Sequence, residues 1–327
     1  MTRALQMTRS DEGVTVDFVD LADDQLGEGD VLIDVAYSSL NYKDGLALRG
    51  DRGVARISPL IPGIDVVGTV RESSDPRWSA GDEVVLTGAG LGETRNGGYS
   101  ERARVPSEHL VRVPAKLGMA RAAAIGTAGF TAAQAVLALE AAGIPDGDVV
   151  VTGATGGVGS VAVMLLAEAG RRVVAATGHP DDRGYLQRLG AADLIDRAEL
   201  QQTGKPLQAS RWAGAIDVVG GTTLASLLAQ TRYGGAVAAC GLVESTDLHT
   251  TVLPFILRGV TLAGVNSVEA PLVTRERVWK RLERDLDLGL LDSLTETVPL
   301  EEVQLWATRI LTGDTRGRIA VSVAPTM

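Results

Sequence analysis

Hydrophobic and polar positions follow different patterns in the two halves of the chain. From residue 1 to about 115, short alternating or apolar runs are separated by Gly, Pro and Asp, as in VLIDVAYSSL, DVVGTVRE, DEVVLTG and HLVRVP. Runs of this length are typical of β-strands joined by turns. The first part of the chain is therefore predicted to be all-β.

A helical pattern begins near residue 119, where MARAAAIGTAGFTAAQAVLALEAAG carries apolar residues at helical spacing and is followed by Pro145. Strand and helix candidates then alternate: VVVTGA, GSVAVMLLAEAG, RRVVAAT, DDRGYLQRLG, AADLID, AIDVVG, LASLLAQTRYG, GAVAACG and VTLAGVNS. Such alternation predicts right-handed βαβ units and a doubly wound parallel sheet with helices on both faces.

The tail, from about residue 267, predicts a charged amphipathic helix (TRERVWKRLERDLDLG), a shorter helix (LEEVQLWATRIL) and a final strand (RIAVSVA). A strand that follows a nucleotide-binding fold usually belongs to another sheet, so we expect the chain to return to its first domain. The predicted domains are 1–118, which is β-rich, 119–266, which is α/β, and 267–327, which rejoins the first.

Composition and charge narrow the class of protein. With 45% hydrophobic and 22% charged residues the chain is globular, and its net charge of −10 disfavours nucleic acid and anionic membranes as partners. We expect neither a signal peptide nor an apolar run long enough to span a bilayer, and hence a cytoplasmic location. Cys240 is the only cysteine, which excludes an intramolecular disulfide and a cysteine-rich zinc lobe. Its AVAACGL context indicates a buried strand end.

The strongest motif is Val149–Ser160, a β-branched strand that runs into a glycine cluster and then a helix. A helix N-terminus with free amide groups binds pyrophosphate, and glycines let the backbone approach it. A tight structural turn is the alternative, but the strand before and the helix after favour a dinucleotide site. The predicted cofactor-binding residues of this loop are Gly153, Thr155, Gly156, Gly157, Val158 and Gly159.

The end of the second nucleotide strand predicts the choice of cofactor. NAD-specific sites place an acidic residue there to accept from the ribose 2′-hydroxyl, whereas this strand ends in Thr177-Gly178-His179, followed by Arg183. A 2′-phosphate fits this end better, which predicts NADPH. Alternatively, these residues only begin the next helix, with Asp181 and Asp182 as its acidic first turn.

Metal ligands are scarce in the sequence. The histidines are His109, His179 and His249, and none has a neighbour at ligand spacing. We therefore predict no metal site. Reduction of a conjugated double bond suits such a chain, because donors hold the enolate after hydride adds at the β carbon and a proton reaches the α carbon.

For that chemistry a polar cluster, Asn41-Tyr42-Lys43-Asp44, follows an apolar strand of the β-rich half. Tyr42 is predicted to pack on the nicotinamide or to donate a proton, and Asn41 or Lys43 to hold the oxyanion. A capped turn with Lys43 and Asp44 in solvent is the alternative, and the sequence alone does not separate the two.

The ordered segments SSLNYKDGLA, PLIPGIDVVGTV, GGYSERARV, VVVTGATGGVGS, LPFILRGVTLAGVNSV and RGRIAV resemble the medium-chain dehydrogenase/reductase superfamily. The resemblance covers nearly the whole chain and is strongest to a zinc-independent branch of acryloyl-CoA reductases. It implies a GroES-like catalytic domain and a Rossmann domain. Asn41 stands where zinc-dependent relatives carry Cys, and Ile64-Asp65 where they carry a His–Glu pair.

The resemblance also implies further contacts with NADPH. His179 is a departure, because similar sequences carry Arg there, and Arg183 or Arg197 would have to compensate. The implied contacts outside the glycine loop are Tyr42, Thr177, Gly178, His179, Arg197, Leu242, Ile256, Ser267 and Arg318.

The leading hypothesis is an NADPH-dependent reductase of an enoyl thioester, with acryloyl-CoA as the substrate that the resemblance implies. A quinone or enone reductase is the nearest rival, and an NADPH-binding sensor without turnover is a further alternative. We also expect a homodimer, because VTLAGV is apolar on both faces and would otherwise leave an exposed edge of the nucleotide sheet.

Overall fold

The structure, a computed structural model, describes residues 1–323 and divides the chain into two compact units. The first unit contains Met1–Phe130, Ser267–Glu283 and the chain from Leu291 onward, and the second contains Thr131–Asn266 and Arg284–Leu290. The predicted boundary at residue 118 thus lies short of the structural one, at Phe130. The change of composition marks the start of a helix, whose first half still belongs to the first unit.

Within residues 1–323 the secondary structure is as follows. The strands are β1 Thr2–Ser10, β2 Gly13–Leu21, β3 Val31–Ser39, β4 Asp65–Ser73, β5 Glu83–Thr87, β6 Arg102–Val105, β7 Val111–Arg112, β8 Asp148–Val151, β9 Arg172–Thr177, β10 Ala191–Asp196, β11 Trp212–Asp217, β12 Thr231–Ala239, β13 Thr261–Gly264, β14 Thr295–Pro299 and β15 Arg318–Ser322. The helices are α1 Tyr42–Leu48, α2 Gly118–Ala141, α3 Gly157–Glu168, α4 Arg183–Arg188, α5 Gly221–Gln230, α6 Leu253–Arg258, α7 Leu272–Asp285, α8 Leu288–Ser293 and α9 Val303–Thr312.

The first unit is built on a β-hairpin, β1–β2, and a larger sheet with the order β14-β15-β3-β4-β5-β7, in which β6 also pairs with β3. The terminal strand β15 runs antiparallel to β3, so the tail joins the sheet of the first part of the chain. The apolar faces of these strands enclose one core, which includes Leu32, Val66 and Val321. Alternation of buried and exposed positions along the strands produced the β pattern read in the sequence.

The second unit is a parallel sheet with the order β10-β9-β8-β11-β12-β13. Its central strand β8 is β-branched and its Val149, Val150 and Val151 are buried, as expected for a strand covered on both faces. The strand order reverses between β8 and β11. In such sheets the crevice outside the carboxyl ends of the strands at this reversal binds ligands.

Several elements differ from the sequence-based prediction, among them α8 and β14, which were not predicted in the tail. The β-rich half contains a helix, α1, which the short apolar runs concealed because it spans only Tyr42–Leu48. The predicted helix LASLLAQTRYG ends at Gln230, and its last residues begin β12. The helix α6 was not predicted, because it is only six residues long and most of its apolar side chains are exposed instead of forming one buried face.

Helix α2 corrects the expectation that no segment reaches the length and apolarity of a membrane span. Gly118–Ala141 meets both criteria, yet 78% of its most apolar window is buried inside the protein, as in the core helix of a globular domain. The helix is also interrupted: Gly126 has φ 46°, and two helical stretches meet there. Burial and this interruption make α2 weak support for a membrane span.

Candidate functional site

The glycine loop lies between β8 and α3, at the reversal of strand order. Gly153 turns the chain with φ 54°, and Gly156, which has no side chain, occupies the N-cap of α3. A Cβ on Gly159 would clash with the carbonyl oxygen of Gly153 and lie 2.7 Å from the Cα of Ala154. The helix therefore packs directly on the loop, and its N-terminal amide groups at Gly157 and Val158 are available for an anion.

The carboxyl end of the neighbouring strand β9 carries the residues predicted to choose the cofactor. Thr177 is buried, and its Oγ1 accepts a hydrogen bond from the backbone N–H of His179 at 3.0 Å. A Cβ on Gly178 would lie 2.5 Å from Nε of Arg197, so the guanidinium of Arg197 rests on the backbone of Gly178. His179 and Arg183 are exposed. An exposed arginine beside a side-chain-free backbone is suited to bind a phosphate.

A carboxylate does stand on the adjacent strand. Asp196, at the end of β10, pairs with Thr177, and its Oδ1 accepts the backbone N–H of Ala198 at 2.8 Å. The Asp196 side chain thus caps the turn that places Arg197. It does not end β9 itself, where an acidic partner for a ribose 2′-hydroxyl is found in NAD-specific sites.

Sequence reasoning missed Asp217, at the end of β11. It is buried, its Oδ1 accepts from Thr152 Oγ1 at 2.7 Å, and its Oδ2 accepts from the backbone N–H of Gly220 at 2.8 Å. Burial raises the pKa of this carboxyl. Because Thr152 precedes the glycine loop, Asp217 ties that loop to the turn after β11. The sequence signal that could have identified it is a single acidic residue inside the otherwise apolar segment AIDVVG.

Three other predicted positions lie beyond β12. Leu242 and Ile256 are strongly exposed, at 65% and 72%, and lie on the loop after β12 and on α6. Cys240 is half-buried, its Sγ donates to the carbonyl oxygen of Asp217 at 3.4 Å, and burial raises its pKa to about 12. The thiol is therefore protonated at neutral pH, in agreement with a structural strand end.

In the first unit, Asn41 caps helix α1. Its backbone N–H donates to Asp44 Oδ2 at 2.8 Å, while its Nδ2 donates to Asp65 Oδ2 at 2.9 Å and Asp44 Oδ2 at 3.1 Å. Oδ1 of Asn41 is buried without a hydrogen-bond partner among the described residues. This arrangement argues against the predicted role of Asn41 as an oxyanion donor, because its N–H groups already serve two carboxylates.

Tyr42 and Lys43 open the same helix. The Tyr42 ring is 39% exposed, which keeps it available for a ligand. Lys43 Nζ is 2.9 Å from Oε1 of the buried Glu93. The alternative of a turn with Lys43 and Asp44 in solvent is wrong, because Lys43 is paired and Asp44 is fully buried.

Asp65 is the centre of a buried polar cluster in the first unit. It accepts from Ser39 Oγ and from Asn41, and its Oδ1 accepts from the backbone N–H and Oγ1 of Thr127 at 2.9 and 2.6 Å. Thr127 begins the second stretch of α2, so Asp65 holds that helix at its break. Because these donors surround Asp65, its carboxylate accepts the hydrogen bonds that join β3, α1 and α2 in the first unit.

Arg318 and Ser267, predicted as cofactor contacts, are buried in the first unit. Arg318 is 2% exposed and its Nε donates to the carbonyl oxygen of Ala124 at 2.6 Å. Burial lowers the pKa of its guanidinium, and the charges of Asp65 and Asp44 oppose that shift. The carbonyl of Ser267 accepts from Arg275. Both contacts stay predictions; the motifs did not show that these residues are buried, and Nη2 of Arg318 has no hydrogen-bond partner among the described residues.

No group of three or more His, Cys, Asp or Glu side chains is close enough to hold an ion within residues 1–323. Asp44 and Asp65 come near each other, but Asn41 and Arg318 accompany them, and these are a neutral donor and a cation.

Asp44 gives the first testable prediction. Burial and the charge of Asp65 raise the pKa of Asp44 to about 7, from a reference value of 3.8. Between pH 3.8 and about 7 the folded state holds a proton on Asp44 that the unfolded state releases. The protonated Asp44 therefore stabilises the folded state at low pH, and this contribution is lost as the pH rises through about 7. Urea unfolding of wild type and Asp44→Asn from about pH 4 to about pH 8 should show the stability difference changing over this window.

The exposed Asp51 offers a matched control for that comparison. Asp51→Asn removes a carboxylate from the same segment and should leave the pH dependence of wild type unaltered. A stability difference between wild type and Asp44→Asn that stays constant with pH would contradict the assigned titration.

Comparison with known proteins identifies families for both parts of the chain. Residues 27–115 match the family model of the alcohol dehydrogenase GroES-like domain, and residues 157–284 match that of the zinc-binding dehydrogenase. The acrylyl-CoA reductase AcuI of Ruegeria pomeroyi is 47% identical over 298 residues, which cover 90% of each chain.

Two solved structures match this chain over nearly its whole length. The yhdH oxidoreductase of Salmonella enterica, crystallised in complex with NADP, has a TM-score of 0.96 and 48% identity, covering 99% of this chain and 100% of that one. Bacillus subtilis YhfP, named as a quinone oxidoreductase, is 45% identical over 98% of each chain. Its crystal structure, with NAD bound, has a TM-score of 0.94 and covers 98% of this chain and 99% of that one.

Proposed function

Because the chain belongs to the medium-chain dehydrogenase/reductase superfamily, we propose that it reduces the carbon–carbon double bond of a small enoyl thioester with NADPH, acryloyl-CoA to propanoyl-CoA being the leading reaction. The glycine loop at the reversal of strand order is the observation that carries this proposal. The relative named as an acrylyl-CoA reductase supports the substrate class. We place the enzyme in the cytoplasm.

The residues present fit NADPH. Gly156 and Gly159 leave a backbone cradle at the N-terminus of α3, which suits a pyrophosphate. Thr177, Gly178 and Arg197 form a polar end to β9 that suits a 2′-phosphate. When bound, the cofactor supplies the hydride.

We assign Tyr42 to the nicotinamide, because α1 presents its partly exposed ring at the first helical position. The hydrogen bonds between Asn41 and Asp44 fix the start of the helix that carries Tyr42, so we assign Asn41 as a positioning residue. Hydride adds to the β carbon of the substrate, the electrons move to the carbonyl oxygen as an enolate, and water supplies a proton to the α carbon. Lys43 follows Tyr42 and is the cation that α1 carries, so we assign it to the developing charge of the enolate.

A quinone or enone reductase is the second candidate, and it is favoured by the name of the Bacillus relative. Loss of NADPH absorbance with acryloyl-CoA, crotonyl-CoA and a soluble quinone separates the candidates. We expect turnover with acryloyl-CoA that survives a metal chelator. Turnover with the quinone alone would favour the second candidate, and no turnover with saturable NADPH binding would favour a sensor.

Arg197 should determine the preference for NADPH over NADH. Its guanidinium rests on Gly178, where a 2′-phosphate would be bound. Arg197→Gln should lower kcat/KM for NADPH by about tenfold, the effect of one lost charge-assisted contact, with little change for NADH. His179→Arg should tighten NADPH binding, since it adds a second cation beside Thr177.

Arg188→Gln is the matched control for Arg197→Gln, because Arg188 is exposed at the end of α4 and its loss changes the charge equally. Steady-state kinetics with both cofactors measures the effect. Equal catalytic efficiency of wild type with NADPH and NADH would contradict the proposed preference.

We also propose a homodimer. Strand β13 is the last strand of the six-stranded sheet, and within residues 1–323 it pairs with β12 alone. Its Leu262 and Ala263 are only partly buried, and Ile256 and Leu257 on the nearby chain are exposed. An open apolar edge of this kind favours pairing with a second copy. Light scattering at micromolar concentration should give twice the chain mass of 34.1 kDa, and a monomer would contradict the proposal.

A further inference from the structure

A group of exposed arginines follows helix α1. Arg49, Arg52 and Arg56 lie on the segment that leaves the helix, and all three side chains are exposed. The protein as a whole carries a net charge of −10, so a local excess of cations is not a consequence of its composition. Such a concentration of guanidinium groups is suited to an anionic ligand.

The segment holds a fixed conformation. The backbone N–H of Asp51 donates to Leu46 O at 3.1 Å, and that of Ala55 donates to Asp51 O at 2.8 Å. Arg9 Nη1 donates to Ala55 O at 2.6 Å, which fastens the segment to β1. The arginines therefore extend from an ordered backbone, which lowers the entropy lost when a ligand binds.

A fourth arginine is joined to the same surface. The backbone N–H of Arg56 donates to Glu93 O at 2.9 Å, and Arg95 follows Glu93 by two residues with an exposed side chain. We call the four residues Arg49, Arg52, Arg56 and Arg95 the arginine surface.

The acidic groups beside this surface are already engaged. Asp51 Oδ1 accepts the backbone N–H of Gly53 at 2.8 Å, and the buried Glu93 carboxylate pairs with Lys43. Among residues 1–323, no side-chain hydrogen bond or ion pair joins the guanidinium groups of the arginine surface to a protein group. Their charge is therefore left for a ligand.

Helix geometry relates the arginine surface to Tyr42. Arg49 is the C-cap of α1 and keeps near-helical backbone angles (φ −79°, ψ −2°), so it continues the helical path seven residues after Tyr42, about 20° away around the axis and about 10 Å along it. A ligand whose reacting group meets Tyr42 would extend along this side of α1 toward Arg49.

We propose that the arginine surface binds the phosphate groups of the nucleotide portion of a CoA thioester. The inference rests on the proposed function and names what holds its substrate. The acryloyl group is small and offers little for recognition, whereas the pyrophosphate and the 3′-phosphate of CoA are polyanionic and accept bidentate bonds from arginine. The arginine surface thus selects the carrier, and Tyr42 meets the acyl group.

The test compares two substrates with the same reacting group, acryloyl-CoA and the acryloyl thioester of N-acetylcysteamine, which has no phosphate. In the triple variant Arg49→Gln, Arg52→Gln, Arg56→Gln, the KM for acryloyl-CoA should rise by about 10- to 100-fold, because charge-assisted contacts are lost. The catalytic efficiency with the N-acetylcysteamine thioester and the KM for NADPH should match wild type. Calorimetric titration with CoA should show the same weakening without turnover.

A control variant removes three exposed cations elsewhere, with Arg188→Gln, Lys205→Gln and Arg277→Gln. It has the same net charge as the triple variant and should bind CoA as wild type does. Failure of the control to do so would show a general charge effect and overturn the proposal.

The remaining outcomes separate this inference from the proposed function. An unchanged KM for acryloyl-CoA in the triple variant, with normal wild-type turnover, would overturn the arginine surface and leave the proposed function standing. An equal loss of catalytic efficiency with both thioesters in the triple variant would show damage to the reacting site, and it would also overturn the proposed role of the arginine surface. If wild type reduces neither thioester, the proposed function fails and this inference fails with it.

Discussion

Replacing Gly159 with alanine should strongly weaken cofactor binding and destabilise the second unit. The new Cβ would clash with Gly153 O and lie 2.7 Å from the Cα of Ala154. Both obstacles are backbone, so a side-chain rotation cannot relieve them. The free energy of unfolding should fall by about 3 kcal/mol, the upper part of the range for an overpacked site.

The loop has little freedom to move away. The backbone N–H of Thr152 donates to Ile216 O at 3.0 Å, and that of Gly156 donates to Gly153 O at 3.0 Å. Asp217 holds Thr152 through its side chain. A displacement of α3 by about 1 Å would misplace the amide groups proposed to bind pyrophosphate, and misplacement of that size costs about 100-fold in activity.

Gly184→Ala is the control for this prediction. Gly184 lies in α4 of the same unit, and the nearest atom to its Cβ position is Arg188 Nη1 at 3.8 Å. It should unfold at the wild-type temperature or slightly above, since alanine favours a helix. Thermal unfolding and fluorescence titration with NADPH measure both effects. A Gly159→Ala protein with wild-type stability and affinity would contradict the assignment of the loop.

Tyr42 should matter for its ring rather than its hydroxyl. Tyr42→Phe should keep most hydride transfer, because the ring proposed to pack on the nicotinamide remains. Tyr42→Ala should lower kcat/KM by about 10- to 100-fold, the loss expected when an aromatic side chain no longer buries its surface. Stopped-flow measurement of NADPH oxidation and titration of NADPH affinity test both variants.

A different pattern would assign the proton transfer to Tyr42. If Tyr42→Phe falls by about 100- to 10,000-fold with unchanged NADPH affinity, the hydroxyl is the general acid. The control is Tyr233→Ala, which removes a tyrosine that is 78% exposed in the second unit and should be silent. Wild-type rates and affinity in both Tyr42 variants would show that α1 is only structural.

The sequence by itself determined the fold class and the glycine loop. Strand and helix periods, and the glycines that follow a β-branched strand, are local features, so they can be read without knowing what packs against them. The β-rich part and the alternating α/β part were predicted in this way. The return of the tail rested on the usual place of a strand that follows such a sheet, and the family rested on the resemblance of ordered segments. Gly153, Gly156 and Gly159 stand in the structure where the motif requires them.

Tertiary structure decided which polar residues are buried and which remain exposed. Asn41, Asp65 and Arg318 are far apart in the sequence, and only the fold brings them into one buried cluster, in which Asn41 donates to carboxylates and Arg318 to a backbone carbonyl. Likewise, the contact of Arg197 with Gly178 comes from the pairing of β9 with β10. Burial and partner choice depend on contacts between distant segments, and no local pattern of residue types encodes them.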